Sequence, residues 1–188
     1  MEHFSPTKLR TPGAPPLAIG DSVMLGAAER LRRSGFEVDV RGCRQMSEGL
    51  GVLAGRRRAG TLPDVAVVAL GTNWTVSTGQ IRAGLRILGP NRVLGMVTPP
   101  ESGGVASSDQ AVIRAAGRRW PVRLKVLDWV AHSAGRGWSW DGMHLTPAGA
   151  AAYARLLSRA FDWPVPTLEM TVMRAATAEP AERLEQGG

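Results

Sequence analysis

A single cysteine, Cys43, stands in a chain of 188 residues, so no disulfide can close within it. A cysteine-based zinc site is excluded on the same ground. Lys8 and Lys125 are the only lysines, yet the formal net charge is +7. Nearly all the positive charge is therefore arginine. Set beside the abundant Ala and Gly, it reads as genome composition bias. The basic residues are scattered apart from Arg56-Arg57-Arg58, and no nucleic-acid motif accompanies them, so no nucleic-acid partner is expected. That run reads as a solvated face that also meets the carboxyl end of its own helix. No apolar run is long enough to span a bilayer, so direct membrane insertion is not expected. Residues 1–16 carry Pro6, Pro12, Pro15 and Pro16 but no apolar core of a signal peptide. As written, the chain is expected to be cytoplasmic. It would be extracytoplasmic as a piece of a larger membrane protein.

What the chain does hold is apolar patterning for one domain. Its 44% hydrophobic content is ordinary for a globular protein, and its length allows a real core. Residues 1–16 read as a flexible leader, 17–163 as the domain, and 164–188 as a poorly ordered tail. Short apolar runs at 17–20, 36–40, 64–70, 92–97 and 122–127 read as strands. Asp64 to Leu70 is apolar on both faces, as a central parallel strand must be. Between the runs, helical spacing predicts helices over 22–33, 46–58, 77–88 and 107–119. Val23, Ala27 and Leu31 share one stripe, as do Met46, Leu50 and Leu53, and Ile81, Leu85 and Leu88. An irregular stretch is expected after Asp128, up to Met143. A last helix then starts at Thr146-Pro147, with a cap residue and a proline at its first position, and runs to about Phe161. Alternating strands and helices predict an α/β protein, a three-layer α/β/α sandwich on a five-stranded parallel sheet. The flavodoxin-like strand order 2-1-3-4-5 is expected.

In such a sheet, the loops that follow strands gather on one edge, where this fold class places its chemistry. Gly20-Asp21-Ser22 follows the first strand, and Gly71-Thr72-Asn73 follows the third. Asp141-Gly142-Met143-His144 precedes the last helix. Together they supply a hydroxyl, an amide, a carboxylate and an imidazole, the parts needed for nucleophilic acyl transfer. A serine hydroxyl needs a base within reach, and His144 supplies one. Asp141, three residues earlier, can fix its tautomer and stabilise its charged form. The negative oxygen of a tetrahedral intermediate needs aimed donors. The Ser22 backbone N–H and the Asn73 amide are the candidates. Taken alone, Ser22 is equally well explained as a plain N-cap, and Asp21 as a structural acid at a helix start.

The three segments, in this order, resemble blocks I, III and V of the SGNH/GDSL hydrolase superfamily, over about Leu17 to Phe161. The wording of Gly20-Asp21-Ser22-Val23-Met24-Leu25-Gly26 and Ala69-Leu70-Gly71-Thr72-Asn73 is most similar to the SGNH domains fused to membrane O-acetyltransferases of peptidoglycan and other surface glycans. The resemblance implies Ser22 as nucleophile, His144 as base, Asp141 as its partner, and the Ser22 N–H and Asn73 as oxyanion donors. It also implies a block II donor, for which Gly42 is the obvious candidate. Matching Arg44-Gln45 to the relatives' Gly-Arg-Gln pattern instead places Cys43 there. The activity implied is a serine esterase on short-chain, acetyl-like esters. The alternatives are an O-acetyltransferase that moves an acyl group to a glycan hydroxyl, and a non-catalytic binding module on the same fold. No metal or organic cofactor is called for. The expected partners are a small-molecule or glycan ester and, functionally, a membrane acyl-transfer protein.

Other residues have plainer readings. Cys43 is expected to be an inert, buried or semi-buried thiol, and His3 and His132 to be surface histidines. Arg44 reads as a solvated or loop-bracing arginine, with binding of an acidic substrate group as the alternative. Trp74, Trp138 and Trp140 either pack their loops or line an acyl or sugar pocket. Trp74 and Trp140 are the substrate-binding candidates.

Overall fold

The computed structural model describes residues 13–100 and 108–166. The expected leader before residue 13, His3, the loop Glu101-Ser102-Gly103-Gly104 and the tail beyond residue 166 lie outside the described residues.

Five parallel strands form one sheet in the order β2-β1-β3-β4-β5. They are β1 (Leu17–Gly20), β2 (Glu37–Val40), β3 (Val65–Ala69), β4 (Val93–Val97) and β5 (Leu124–Leu127). Gly20 lies in register with Val40 on one side and Ala69 on the other. The carboxyl ends of the three strands around the candidate site are thus level. β3 and β4 are buried at every residue, which is why they read as continuous apolar runs. Alternate side chains of β3 enter separate cores: Val67 and Ala69 one, Ala66 and Val68 the other. These two cores make the sandwich three layers deep.

The helices are α1 (Ser22–Leu25), α2 (Ala28–Arg33), α3 (Met46–Arg58), α4 (Thr78–Leu88), α5 (Ser108–Arg119), α6 (Trp129–Ser133) and α7 (Pro147–Leu157). A 3-10 turn, Ser158–Asp162, completes the last one. Two starts follow their sequence signals closely. Ser77 caps α4 in a capping box with Gln80. Thr146 caps α7, accepting from the Gly149 N–H at 3.1 Å.

Two expectations are corrected. The single helix expected over 22–33 is two. Gly26 and Ala27 interrupt it, with Ala27 at φ −110, ψ 0 and its N–H turned back to Met24 O at 2.9 Å. Glycine is a poor helix residue, and the break lets Val23, Met24, Ala27 and Leu31 all reach the core. The stretch after Asp128, expected to be irregular, begins with α6, because Asp128 caps it through the Ala131 N–H at 3.2 Å. The Arg56-Arg57-Arg58 run lies in the last turn of its own helix, and Arg57 also braces a neighbouring one. Its guanidinium donates to Arg86 O at 2.9 Å and to Ile87 O, at the carboxyl end of α4. Arg56 of the same run pairs with Glu37.

Candidate active site

Ser22 opens α1 directly from the carboxyl end of β1. The helix packs so closely over the strand that a Cβ on Gly20 would lie 2.4 Å from that of Met24. Asp21, not Ser22, is the N-cap: Oδ1 accepts the Val23 N–H at 3.0 Å. The serine hydroxyl is thereby released from capping. The Ser22 N–H belongs to the first turn, whose donors have no partner inside a helix.

The second segment is a tight loop between α6 and α7. Trp138 stacks on Trp129 with ring centroids 5.9 Å apart and 15° between planes. Thr146 N–H donates to Trp138 O at 3.0 Å, and Trp140 N–H to His144 O at 2.8 Å. Ser139 and Leu145 form an antiparallel bridge between these two bonds. Gly142, at φ +83, turns the tip. Inside the loop, Asp141 Oδ1 accepts the N–H groups of Met143 at 2.9 Å and His144 at 2.7 Å. The other oxygen, Oδ2, lies 2.7 Å from His144 Nδ1. Nε2 of the same ring lies 3.2 Å from Ser22 Oγ, across 122 residues of sequence. The His144 ring, followed by these backbone donors, holds the Asp141 carboxyl well below the usual carboxylate range. Both side chains are open to solvent, His144 at 47% and Asp141 at 54%.

The third segment turns at Gly71, whose φ of +132 and close neighbours Pro99 and Val76 leave no room for a side chain. Asn73 Nδ2 then donates to Asp21 Oδ2 at 3.3 Å. Asp21 is 1% exposed. Burial pushes its carboxyl above the ordinary value, against the hydrogen bonds from Val23 N–H and the Thr72 side chain.

Ser22, Asp141, His144 and Asn73 therefore meet at one edge of the sheet. In the block II loop, Cys43 is the non-glycine residue with positive φ, +57, whereas Gly42 is not in that region. Cys43 thus holds the backbone position that glycine favours. It is exposed, contrary to the buried or semi-buried thiol expected: the left-handed turn carries it outward. Arg44 braces the loop. Its side chain is 6% exposed and donates to Asp39 O at 2.7 Å and Asp39 Oδ1 at 2.6 Å, so it is committed within the protein. His132, expected at the surface, is half-buried, with its ring against Trp129 and Trp138. Trp138 packs its loop, but Trp74 and Trp140 are 68% and 74% exposed. They flank Asn73 in sequence and His144 in backbone pairing. Sequence reasoning missed the contact of Asp21 with Asn73, whose only signal was an acid immediately before the serine.

Among the described residues, no cluster of three or more His, Cys, Asp or Glu could hold a metal ion. No helix among them is long and apolar enough to cross a membrane. A cavity of about 420 Å³, lined by Pro16, Gly35, Phe161 and Trp163, lies at the opposite edge of the sheet and touches none of the site residues.

The chain has the fold of the SGNH/GDSL hydrolases. In sequence it is similar to peptidoglycan O-acetyltransferase OatA of Listeria monocytogenes, 27% identical over 146 residues, which are 76% of this chain. The match spans 23% of that protein's length. In structure it is similar to the C-terminal catalytic domain of Streptococcus pneumoniae OatA, with a TM-score of 0.68 at 20% identity, covering 84% of this chain and 99% of that one. A putative acylhydrolase from Bacteroides fragilis gives a TM-score of 0.61 at 13% identity, covering 83% and 90%. No known family profile matches the chain.

Proposed function

We propose that this chain is a serine esterase or acyltransferase of the SGNH type, acting on short-chain, acetyl-like esters. One observation carries the reading: Ser22 Oγ, both ring nitrogens of His144 and the Asp141 carboxylate lie in a hydrogen-bonded line, at 3.2 Å and 2.7 Å. In this reading Ser22 Oγ attacks the ester carbonyl carbon as His144 Nε2 takes its proton. The carbonyl oxygen becomes negative and is held by the Ser22 N–H, the Asn73 amide and a block II N–H. Collapse breaks the ester C–O bond, and the departing alcohol takes the proton from Nε2. Water or a sugar hydroxyl then gives its proton to His144 and attacks the acyl carbon, and Ser22 Oγ leaves with that proton. Asp141 holds the imidazole in the required tautomer throughout. The positive φ of Cys43 favours its N–H over that of Gly42 as the block II donor. We assign this chemistry to a unit of residues 17–163.

A second reading, transfer of an acetyl group to a glycan hydroxyl, is favoured by the likeness to the O-acetyltransferase. The open dyad and the exposed Trp74 and Trp140 support it, since a polymer can approach such a site. On this reading a membrane acyl-transfer protein supplies the acyl group, and the unit works outside the cytoplasm. A serine-directed fluorophosphonate tests the shared core. Labelling is expected at Ser22 and lost in Ser22→Ala. A protein that neither labels nor cleaves p-nitrophenyl acetate is a binding module instead. A time course with an acetyl donor, with and without an N-acetylhexosamine oligosaccharide, separates the two activities. Product that depends on the acceptor marks transfer.

A further inference from the structure

We propose that Asp21 is a positioning residue for acyl transfer: its buried carboxylate sets the orientation of the Asn73 amide, so that one amide N–H is left aimed at the reaction space in front of Ser22. The inference rests on the reading of Asn73 as an oxyanion donor.

Beside the Thr72 hydrogen bond, the two carboxylate oxygens have separate tasks. Oδ1 accepts the Val23 N–H at 3.0 Å and starts α1 at Ser22. Oδ2 accepts from Asn73 Nδ2 at 3.3 Å. In this contact the nitrogen of the Asn73 amide is the donor and faces the carboxyl oxygen. A primary amide has two N–H groups. Pairing one with Oδ2 fixes the plane and the direction of the other. The same side chain thus holds two of the oxyanion candidates, the serine that follows it at the helix start and the asparagine 52 residues after Asp21 itself. A plain cap needs only one acceptor. Asp21 spends a second, fully buried oxygen on a residue whose own loop is already shaped by Gly71. Preorganised donors of this kind require no reorganisation at the moment of reaction.

Asp21→Asn separates the two tasks. Asn is as good a cap as Asp, so Oδ1 keeps Val23 and the fold is retained. The new –NH₂ then stands where Oδ2 stood and faces Asn73 Nδ2, donor against donor. Asn73 must turn its amide over, and a carbonyl lone pair replaces the N–H that faced the reacting oxygen.

The experiment compares Asp21→Asn, Asn73→Ala and the double variant by kcat and KM on p-nitrophenyl acetate. It follows the Asn73 side-chain NH₂ resonances by ¹⁵N NMR. Asp21→Asn is expected to lower kcat about 10²-fold, with KM within about twofold, as for loss of one oxyanion donor. The double variant is expected to be no slower than Asn73→Ala alone, and the Asn73 NH₂ signals to shift. Asp21→Ser, which keeps a cap but is too short to reach Asn73, must show the same coupling and covers the case in which Asp21→Asn does not fold. Losses that multiply in the double variant, or Asp21→Asn kcat within twofold of the parent, overturn the proposal. Ser22→Ala and Asn73→Ala keep the two failures apart. If Ser22→Ala loses activity while Asn73→Ala retains it, the oxyanion reading of Asn73 itself falls. If both lose it while Asp21→Asn does not, only the positioning role falls.

Discussion

Asp141 holds His144 through both of its oxygens. Oδ1 takes the backbone N–H at 2.7 Å, and Oδ2 faces ring Nδ1 at 2.7 Å. A span of three residues is enough because Gly142 lets the chain turn between them. The carboxylate therefore sets the place of the histidine and the identity of its protonated nitrogen together.

Asp141→Asn should keep the loop and lose the chemistry. The amide oxygen can still accept the Met143 and His144 N–H groups. The –NH₂ then faces Nδ1 and forces the proton onto Nε2, where Ser22 needs an acceptor. A fall in kcat/KM of about 10²- to 10⁴-fold is expected, with fluorophosphonate labelling of Ser22 slowed in parallel. Near-parental labelling would count against the assigned tautomer.

On the proposed reading Asn73→Ala removes a donor that matters only once the oxygen is charged. The expected result is a fall in kcat of about 10²- to 10³-fold with KM almost unmoved. A rise in KM at constant kcat would mean that Asn73 binds substrate uniformly and is not an oxyanion donor.

Trp74 and Trp140 should reveal the size of the acceptor. Their indoles are exposed beside the catalytic loops and pack little of the core. Each change to Ala is expected to weaken a glycan acceptor by about 0.5–1.5 kcal/mol, a few-fold in KM. Turnover of p-nitrophenyl acetate should stay within about twofold. Equal losses on both substrates would point to a disturbed loop, not to a lost sugar contact.

Stability should respond to Asp21 in the opposite sense to activity. Burial raises this carboxyl above its ordinary 3.8, so the folded chain binds that proton more tightly than the unfolded chain does. The contribution is fully present below pH 3.8 and is lost as pH rises through the raised folded value. Asp21→Asn escapes this loss. Its Tm relative to the parent should climb as pH rises above about 4 and level off once the parent carboxyl is ionised. Tyr153 is pushed up by burial and, further, by the Asp21 charge, so it belongs in any fit of the curve. A Tm difference that does not change with pH would remove the argument.

Gly149→Ala tests how the loop that carries Asp141 and His144 is seated. A Cβ there would lie 1.9 Å from Trp138 O, and backbone cannot yield as a flexible side chain can. The expected cost is about 1–3 kcal/mol of stability, seen as a lower urea midpoint. kcat should fall with it, because Trp138 anchors the strand pair that carries Asp141 and His144. Full activity at reduced stability would show that the loop keeps its shape without the anchor.

The strand order and the gathering of Ser22, Asn73, Asp141 and His144 were legible because they rest on patterns of long reach. β3 and β4 are apolar on both faces, and each functional segment ends a strand or starts a helix. What was not legible depends on local competition between residues. Asp21 and Ser22 are both good caps, and nothing in their order says which one caps. The break at Gly26–Ala27 is decided by how many apolar side chains the core can take from both short helices. The outward turn of Cys43 follows from a left-handed φ that cysteine does not advertise. Arg44 gave no sign of its commitment to Asp39, because the pairing needs the loop to fold back on β2.

The distance of 122 residues between Ser22 and His144 has a consequence for biosynthesis. On the proposed reading a nascent chain presents its serine early, while the histidine that is to take its proton has yet to leave the ribosome. Until the α6–α7 loop emerges, the hydroxyl is as inert as any other serine. On the proposed reading an unfinished polypeptide therefore lacks the base its serine needs, and competence arrives only once that loop is in place.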